Sequence, residues 1–470
     1  MTLKKKLIQN SLWLYSSDIL GKILSYFLII AIARNLGETG LGEYSFIFAF
    51  ASFSLLLSDF GLGYFLVKET SREPSSAGKY FSAIVSMRLV FSSMITLAFA
   101  AVSFYLGKPA HVTTGILIIL TFNLISSTYE PFLSVLQAHN RVKQIAIANT
   151  IERLVAFLAG LYVLWTYKSL VLLIAVLFVS NTLRQMLLFA YARGLVTFRL
   201  DFDLRNWTKI IPLAIPFWFT GVFSFIYFRT DTVMLSLMVG DQATGIYNAA
   251  YKLTETMMFI PTMLLFVILP SISYFFKQDI AMLKTLVQRA LKYLLYIAFP
   301  MAIGTFLLAD RFIAFIYKEQ FAASGPALQV LIIATFFGFM NGLLANVLIV
   351  TDRQGYFIRI TMALALLNVI LNFLLIPRYL YIGSGIATVI TQALNFLLLS
   401  RYADRWIMKI DYLRITWKPL LASVIMGIVI LKGDSLAIWY LVPLGAMAYV
   451  IAMAAFGIDK EDRELFKNVF

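Results

Sequence analysis

The sequence predicts an all-α polytopic membrane protein of about 14 transmembrane helices, with two six-helix lobes related by an axis along the membrane normal and two further C-terminal helices. Three observations carry this. Hydrophobic residues make up 61% of the 470-residue chain and the mean hydropathy is +0.84, with only 13% charged residues against ~25% in a soluble globular chain. The apolar residues fall in runs of about 20, the length that crosses a ~30 Å hydrocarbon core, rather than in the alternating periods of half-buried elements. A glycine and tyrosine string also recurs at a fixed offset along the chain.

Taken in order, the spans start near Leu12, Glu43, Tyr80, Val112, Ile145, Leu170, Ile210, Ala243, Gln288, Pro326, Phe357, Ser384, Pro419 and Leu436. The thirteenth is short unless its helix begins near Ile415, so twelve is the lower count. Residues 1–200 form the expected N-lobe, 201–403 the C-lobe, and 404–470 the last two helices with a cytoplasmic tail. Lys4, Lys5 and Lys6 run into span one without a small-residue cleavage site, which predicts an uncleaved cytoplasmic N-terminus.

Loop charges set the expected orientation. With the N-terminus inside, the inner loops hold 25 Lys and Arg and the outer loops seven. Arg193, Arg199, Arg205 and Lys209 precede span seven, and Arg401, Arg405, Lys409, Arg414 and Lys418 precede span thirteen. This bias predicts a multi-pass protein of the cytoplasmic membrane with both termini cytoplasmic. It also accounts for the net charge of +15 without nucleic acid. The chain has no Cys and only two His, so neither a disulfide framework nor a zinc cluster is expected. No loop could fold as a nucleotide-binding domain, and no phosphate-binding G-x-x-x-x-G-K-[ST] string occurs. Asp201-Phe-Asp203 mimics a sugar-nucleotide motif but lacks a flanking α/β domain. No enzyme activity, cofactor or metal is expected.

The repeat is explicit. A shift of 203 residues lays Gly37 on Gly240, Gly42 on Gly245 and Tyr44 on Tyr247, so that Leu-Gly-x-x-x-x-Gly-x-Tyr recurs as Val-Gly-x-x-x-x-Gly-x-Tyr. Six spans separate the copies, an even number, so both copies point the same way across the membrane, as in two-lobed carriers.

Ionisable side chains inside the spans point to a polar passage. Thirteen lie there: Asp18, Lys22, Asp59, Arg88, Glu130, Glu152, Arg153, Arg184, Arg229, Asp231, Lys252, Glu255 and Lys292. At ~3 kcal/mol each, exposing them to lipid would cost on the order of 40 kcal/mol, so they must face protein or water. A rise of 1.5 Å per residue places Asp18, Asp59, Arg88, Glu130, Glu152, Arg153 and Arg184 in one layer about 9 to 12 Å from the cytoplasmic helix ends. This layer serves either as coupling sites or as ion pairs that close a gate or pack helices, and the sequence does not assign partners. Lys22, Arg229 and Lys252 are the expected central cavity cations, although Asp18 with Lys22 and Lys252 with Glu255 could neutralise each other along their helices. Ser11, Tyr15, Asp18, Lys22 and Ser25 mark a wet stripe on span one, matched on span seven by Thr220, Ser224, Tyr227 and Asp231. Pro212, Pro216 and Gly221 predict a bend in span seven. Trp13, Trp207, Trp417 and Trp439 are expected as interfacial anchors. In the second lobe Asn341, Asn346, Asn368, Asn372, Gln392 and Asn395 suit either sugar hydroxyls or interhelical hydrogen bonds.

Several strings together resemble a known family. Arg34-Asn-Leu-Gly37-x-x-Gly40-Leu-Gly42-Glu-Tyr44, Asp59-Phe-Gly-Leu62, Arg229-Thr-Asp231, and Asn368-Val-Ile-Leu-Asn372-Phe-Leu-Leu-Ile-Pro377 followed by Gly383-Ser-Gly385-Ile-Ala387 are similar to the oligosaccharide flippases of the multidrug/oligosaccharidyl-lipid/polysaccharide exporter superfamily. The resemblance implies an alternating-access carrier that moves a lipid-linked oligosaccharide, borne on a polyprenyl phosphate or diphosphate, for polysaccharide or glycoconjugate assembly. Substrate-binding cations are then expected among Lys22, Arg229, Lys252, Arg88, Arg153 and Arg184, and coupling or gating acids among Asp18, Asp59, Glu130, Glu152, Asp231 and Glu255. The expected partners are the lipid-linked glycan, membrane lipid and a coupling proton or sodium ion, and the expected state is a monomer. The inner layer departs from a uniformly cationic cavity, since its acids outnumber its bases. A cation-coupled multidrug or metabolite antiporter of the same superfamily is the nearest alternative, followed by a membrane polymerase and a scaffold without transport.

Overall fold

The computed structural model describes residues 3–72, 77–196, 200–406 and 409–456. These residues form helices joined by short turns, with no strand among them. In chain order the helices are α1 (Leu3–Asp59), α2 (Leu62–Arg72), α3 (Ala77–Tyr105), α4 (Ala110–Ala138), α5 (Val142–Thr166), α6 (Leu170–Ala192), α7 (Leu204–Met238), α8 (Asp241–Met257), α9 (Phe259–Gln278), α10 (Ile280–Leu307), α11 (Ala309–Tyr317), α12 (Ser324–Val350), α13 (Gln354–Trp406), α14 (Tyr412–Lys432) and α15 (Ile438–Ala455). Eleven stretches are long and apolar enough to cross a membrane. Two of them, Ser16–Asp59 and Gln354–Arg405, have 44 and 52 residues, about twice a span. Each breaks once, at Gly37 (φ 72°) and at Leu380 (φ 52°). Counting those halves separately and adding α7, a single helix of 35 residues, gives the expected fourteen crossings. The chain is a multi-pass, all-α membrane protein.

The breaks have local causes. Gly37 occupies the left-handed region at no steric cost. Leu380 has no such freedom; it follows Pro377, and a methyl group on Gly383 would overlap the carbonyl oxygen of Leu375. Span thirteen is full length because α14 starts at Tyr412, where the Asp411 carboxylate accepts from the Arg414 amide at 3.1 Å. Two loops contain short amphipathic helices that hydropathy alone does not show, α2 and α11. In α2 the side chains of Leu62, Phe65 and Leu66 are buried, and in α11 those of Ile313 and Tyr317.

Two compact units are formed, Met1–Gly245 and Ile246–Phe470. The first packs around Phe65, Phe81, Phe132 and Val135 at one end of its helices and around Phe46, Ile47, Phe50 and Ile116 at the other. Within it α7 lies on α1, where Trp218 donates its indole N–H to the Leu56 carbonyl at 3.2 Å and stacks on Phe60 at 5.1 Å. In the second unit α12 packs along α13, and α10 supports α12 and α14. The Tyr449 hydroxyl of α15 donates to the Tyr296 carbonyl of α10 at 2.7 Å. Arg311 of α11 bonds the Leu436 carbonyl at 3.0 Å and the Asp434 carboxylate at 2.5 Å. The last two helices are thus held by α10 and α11.

Candidate functional site

Five helices of the first unit contribute the charged layer. α1 brings Asp18 and Asp59 from its two halves, α3 brings Arg88, α4 Glu130, α5 Glu152 and Arg153, and α6 Arg184. The structure pairs them. Arg88 donates to Asp59 from a buried position. Arg153 lies 3.3 Å from Asp18, and Arg184 lies 3.8 Å from Glu130. Between the pairs the charges still alternate, since Glu130 acts electrostatically on Arg88, and Glu152 feels both Arg153 and Arg184. The result is one chain of alternating sign: Asp59, Arg88, Glu130, Arg184, Glu152, Arg153, Asp18. The sequence placed these seven at one depth; the packing orders them.

Neutral partners that sequence reasoning missed hold the chain in place. Asn149 accepts from Arg184 Nε at 2.7 Å. Gln185 donates to Glu130 at 3.1 Å and to Ser126 at 3.0 Å. The Ser17 carbonyl accepts from Arg153 at 2.7 Å. Gly21 makes room for that arginine, because a methyl group there would overlap its guanidinium. Adjacency was the available signal for Gln185, beside Arg184, and for Asn149, one turn before Glu152.

Exposure decides what the chain faces. The Asp18 and Glu130 side chains keep 42% and 32% of their surface exposed, whereas Arg88 keeps 6%. An exposed carboxylate at hydrocarbon depth costs several kcal/mol in lipid. The open side of the chain therefore borders water. Lys22 is exposed one turn beyond Asp18. Asp18, on the wet stripe of α1, has a side chain 42% exposed and pairs with Arg153.

The other candidates are placed as follows. Arg229 is half-buried and acts electrostatically on Tyr44. Asp231 is buried and accepts from the Thr232 amide at 2.7 Å. In the second unit Lys252 lies 2.6 Å from Glu255 on the same face of α8. Asn341 donates to the Gln392 side chain at 2.7 Å, Asn368 to Thr391 at 3.2 Å, and Asn372 to the Asn368 side chain at 2.9 Å. These three asparagines are buried; Asn341 ties α12 to α13 and Asn368 ties the two segments of α13, while Asn372 bonds within its own segment. Asp201 and Asp203 cap α7: the Asp203 carboxylate accepts from the Arg205 amide at 2.9 Å, and Asp201 accepts from the Asp203 amide at 3.0 Å. Trp207 corrects an expectation. It is buried and donates its indole N–H to the Asp201 carbonyl at 3.2 Å, while Trp13, Trp417 and Trp439 are exposed as anchors should be.

At the opposite helix ends the repeated string meets its own copy. Methyl groups on Gly42 and Gly245 would overlap the carbonyl oxygens of Asp241 and Glu38 respectively. A shift of 203 residues carries Glu38 onto Asp241 and Gly42 onto Gly245, so the two contacts exchange places. Gly37 and Gly240, at φ 72° and 122°, start the two crossing segments. Around them Lys108 bonds Asp241 at 2.7 Å and the Ser236 hydroxyl at 2.7 Å, and His111 lies 2.9 Å from Glu43.

A polar, partly wetted chain of charges inside a polytopic helical protein with a self-contacting repeat is the geometry of a carrier. Comparison with known proteins agrees. Residues 7–276, more than half of the chain, match the family described as polysaccharide biosynthesis protein. The chain belongs to this family. A relative from Haloferax volcanii, a probable low-salt glycan biosynthesis flippase, is 22% identical over 446 residues, covering 90% of this chain and 89% of that protein. The capsular polysaccharide biosynthesis protein CapF of Staphylococcus aureus is 20% identical over 394 residues, covering 82% and 96%. Among solved structures, the lipid II flippase MurJ in an inward closed conformation superposes with a TM-score of 0.79 at 17% identity, covering 94% of this chain and 98% of that one. At that identity the likeness establishes the fold.

Proposed function

We propose that this family member is an alternating-access flippase, and not an enzyme, that moves a lipid-linked oligosaccharide across the cytoplasmic membrane. The observation that carries the proposal is the alternating chain of seven charges, because a glycan and its phosphate cannot cross hydrocarbon without a wet, hydrogen-bonding wall. One relative is named a probable glycan biosynthesis flippase and the other a capsular polysaccharide biosynthesis protein, which favours a glycolipid substrate over the drugs of an antiporter. In this reading the repeat defines lobes 1–200 and 201–403, with 404–470 appended, and the loop-charge bias puts both termini in the cytoplasm.

Exposure supports a ranking of the cations that would meet substrate. The side chains of Arg88, Arg153, Arg184 and Lys252 are buried or half-buried, so little of their charge is open to the passage. Lys22 is exposed beside the wet face of α1 and is the best candidate to hold the phosphate, with Arg229 second. The three ion pairs then act as the inner closure, exchanging partners as the passage opens. Lys22→Gln should lower glycan export 10- to 150-fold, the equivalent of ~1.5 to 3 kcal/mol for a charge-assisted contact, while the protein remains folded in the membrane. Normal export by Lys22→Gln at native expression would remove it from the site.

A further inference from the structure

A cleft lies outside this layer, where α2 and the first turns of α3 and α7 meet. Its volume is about 110 Å³, smaller than a site that encloses a whole small molecule and suited to one end of a larger amphiphile. Phe65, Ala83 and Ile210 form a buried apolar wall and Leu213 an exposed one; Tyr80, Asn206 and Lys209 supply the polar side. The cleft is braced from outside. The Ser86 hydroxyl accepts from the Asp201 amide at 2.7 Å, and Asn206 donates to the Asp201 carboxylate at 3.3 Å. That carboxylate is thereby engaged, and Lys209 is the ammonium in the lining.

One cation, a phenol and an amide beside apolar walls suit an amphiphile carrying a single negative charge. A glycan would set its hydroxyls against Phe65, Ala83, Ile210 and Leu213 without partners. A diphosphate carries more charge than one lysine balances. A phosphodiester headgroup with the start of its acyl chains satisfies both sides, and basic pockets at membrane surfaces bind such groups. We propose that this cleft binds the phosphodiester headgroup of an anionic phospholipid, with Lys209 on the phosphate and Leu213 against the acyl chain. A lipid seated there would hold α2, α3 and the start of α7 together beside, but not within, the transport path.

The test uses the purified full-length protein and native mass spectrometry with added phosphatidylglycerol, phosphatidylcholine or polyprenyl phosphate. The wild type should retain phosphatidylglycerol over phosphatidylcholine. Lys209→Gln should cut that retention about fivefold, the usual contribution of one lysine near anionic lipid, and leave phosphatidylcholine unchanged. Leu213→Trp, which blocks the mouth without changing charge, should cut it to a similar degree. Arg205→Gln, which removes an exposed neighbouring cation outside the cleft, should change it less than twofold. Wild-type retention by both cleft variants would overturn the site. So would an Arg205→Gln loss as large as that of Lys209→Gln, which would mean diffuse surface charge, or displacement of phosphatidylglycerol by equimolar polyprenyl phosphate, which would make the cleft a substrate site. Lys209 and Leu213 are exposed, so unchanged thermal midpoints should accompany both variants.

Discussion

The first unit carries its interior polarity as Asp59–Arg88, Glu130–Arg184 and Asp18–Arg153, whereas α12 and α13 of the second carry theirs as Asn341–Gln392, Asn368–Thr391 and Asn372–Asn368. The first set is charged and open to water along one side; the second is neutral and buried. Both satisfy hydrogen bonds, yet the physics differs. A buried amide network joins helices at modest gain, since hydrogen bonds between membrane helices average ~0.6 kcal/mol. An ion-pair chain with one wet side can trade partners with water or ligand at each step. In the proposed flippase the ion pairs of the first unit would serve exchange and the α12–α13 amides cohesion.

Substitutions can break this contrast or sharpen it. The largest effect belongs to Asp59→Asn, which strands buried Arg88, whose Nε and Nη1 have no other hydrogen-bond partner among the described residues. About 3 kcal/mol of stability should be lost, read as a lower unfolding midpoint in detergent, and Asp59→Asn with Arg88→Gln should recover most of it. No recovery would mean that the pair is not the unit of stability. Asn341→Leu should cost less, ~0.6 to 1 kcal/mol, with export unchanged in a transport assay; a tenfold export loss in folded protein would place the amides on the glycan path. Asp18→Asn should have the smallest effect on stability, a few tenths of a kcal/mol for so exposed a pair, yet it should impair export. Arg153→Gln added to it should restore export if the pair is a gate. Failure of that rescue would return Asp18 to the role of a coupling acid acting alone.

Much of this was legible beforehand, for physical reasons. Hydrocarbon thickness fixes the length of an apolar run, so the fourteen crossings follow from composition, and the cost of a charge in lipid singles out the layer of seven. Helix rise gives depth but not azimuth between helices. Depth therefore put Asp18 level with Arg88, Arg153 and Arg184 alike, and only packing chose Arg153. Amphipathic α2 was hidden because 11 residues are too few to register as a span. Trp207 reads as an anchor by position, but it is buried and the Asp201 carbonyl takes its N–H. Asn341, Asn368 and Asn372 could not be sorted between sugar and neighbouring helix, because an amide serves both and only burial distinguishes them.

The glycine crossing has a consequence for how such a chain can change over time. Gly42 and Gly245 abut main-chain carbonyls, not side chains that could swing aside, so neither copy can gain even a methyl group unless the opposing backbone retreats. Because the contact maps onto itself under the repeat, that retreat would disturb the reciprocal contact as well. The two copies are thus each other's mould at this point, and a side chain at either glycine has to be accommodated by both. A hybrid carrying the residue 36–44 string in both positions, with Leu36-to-Tyr44 copied over Val239-to-Tyr247, would still seat both crossings, although it would exchange Asp241 for Glu and so lengthen the reach to Lys108.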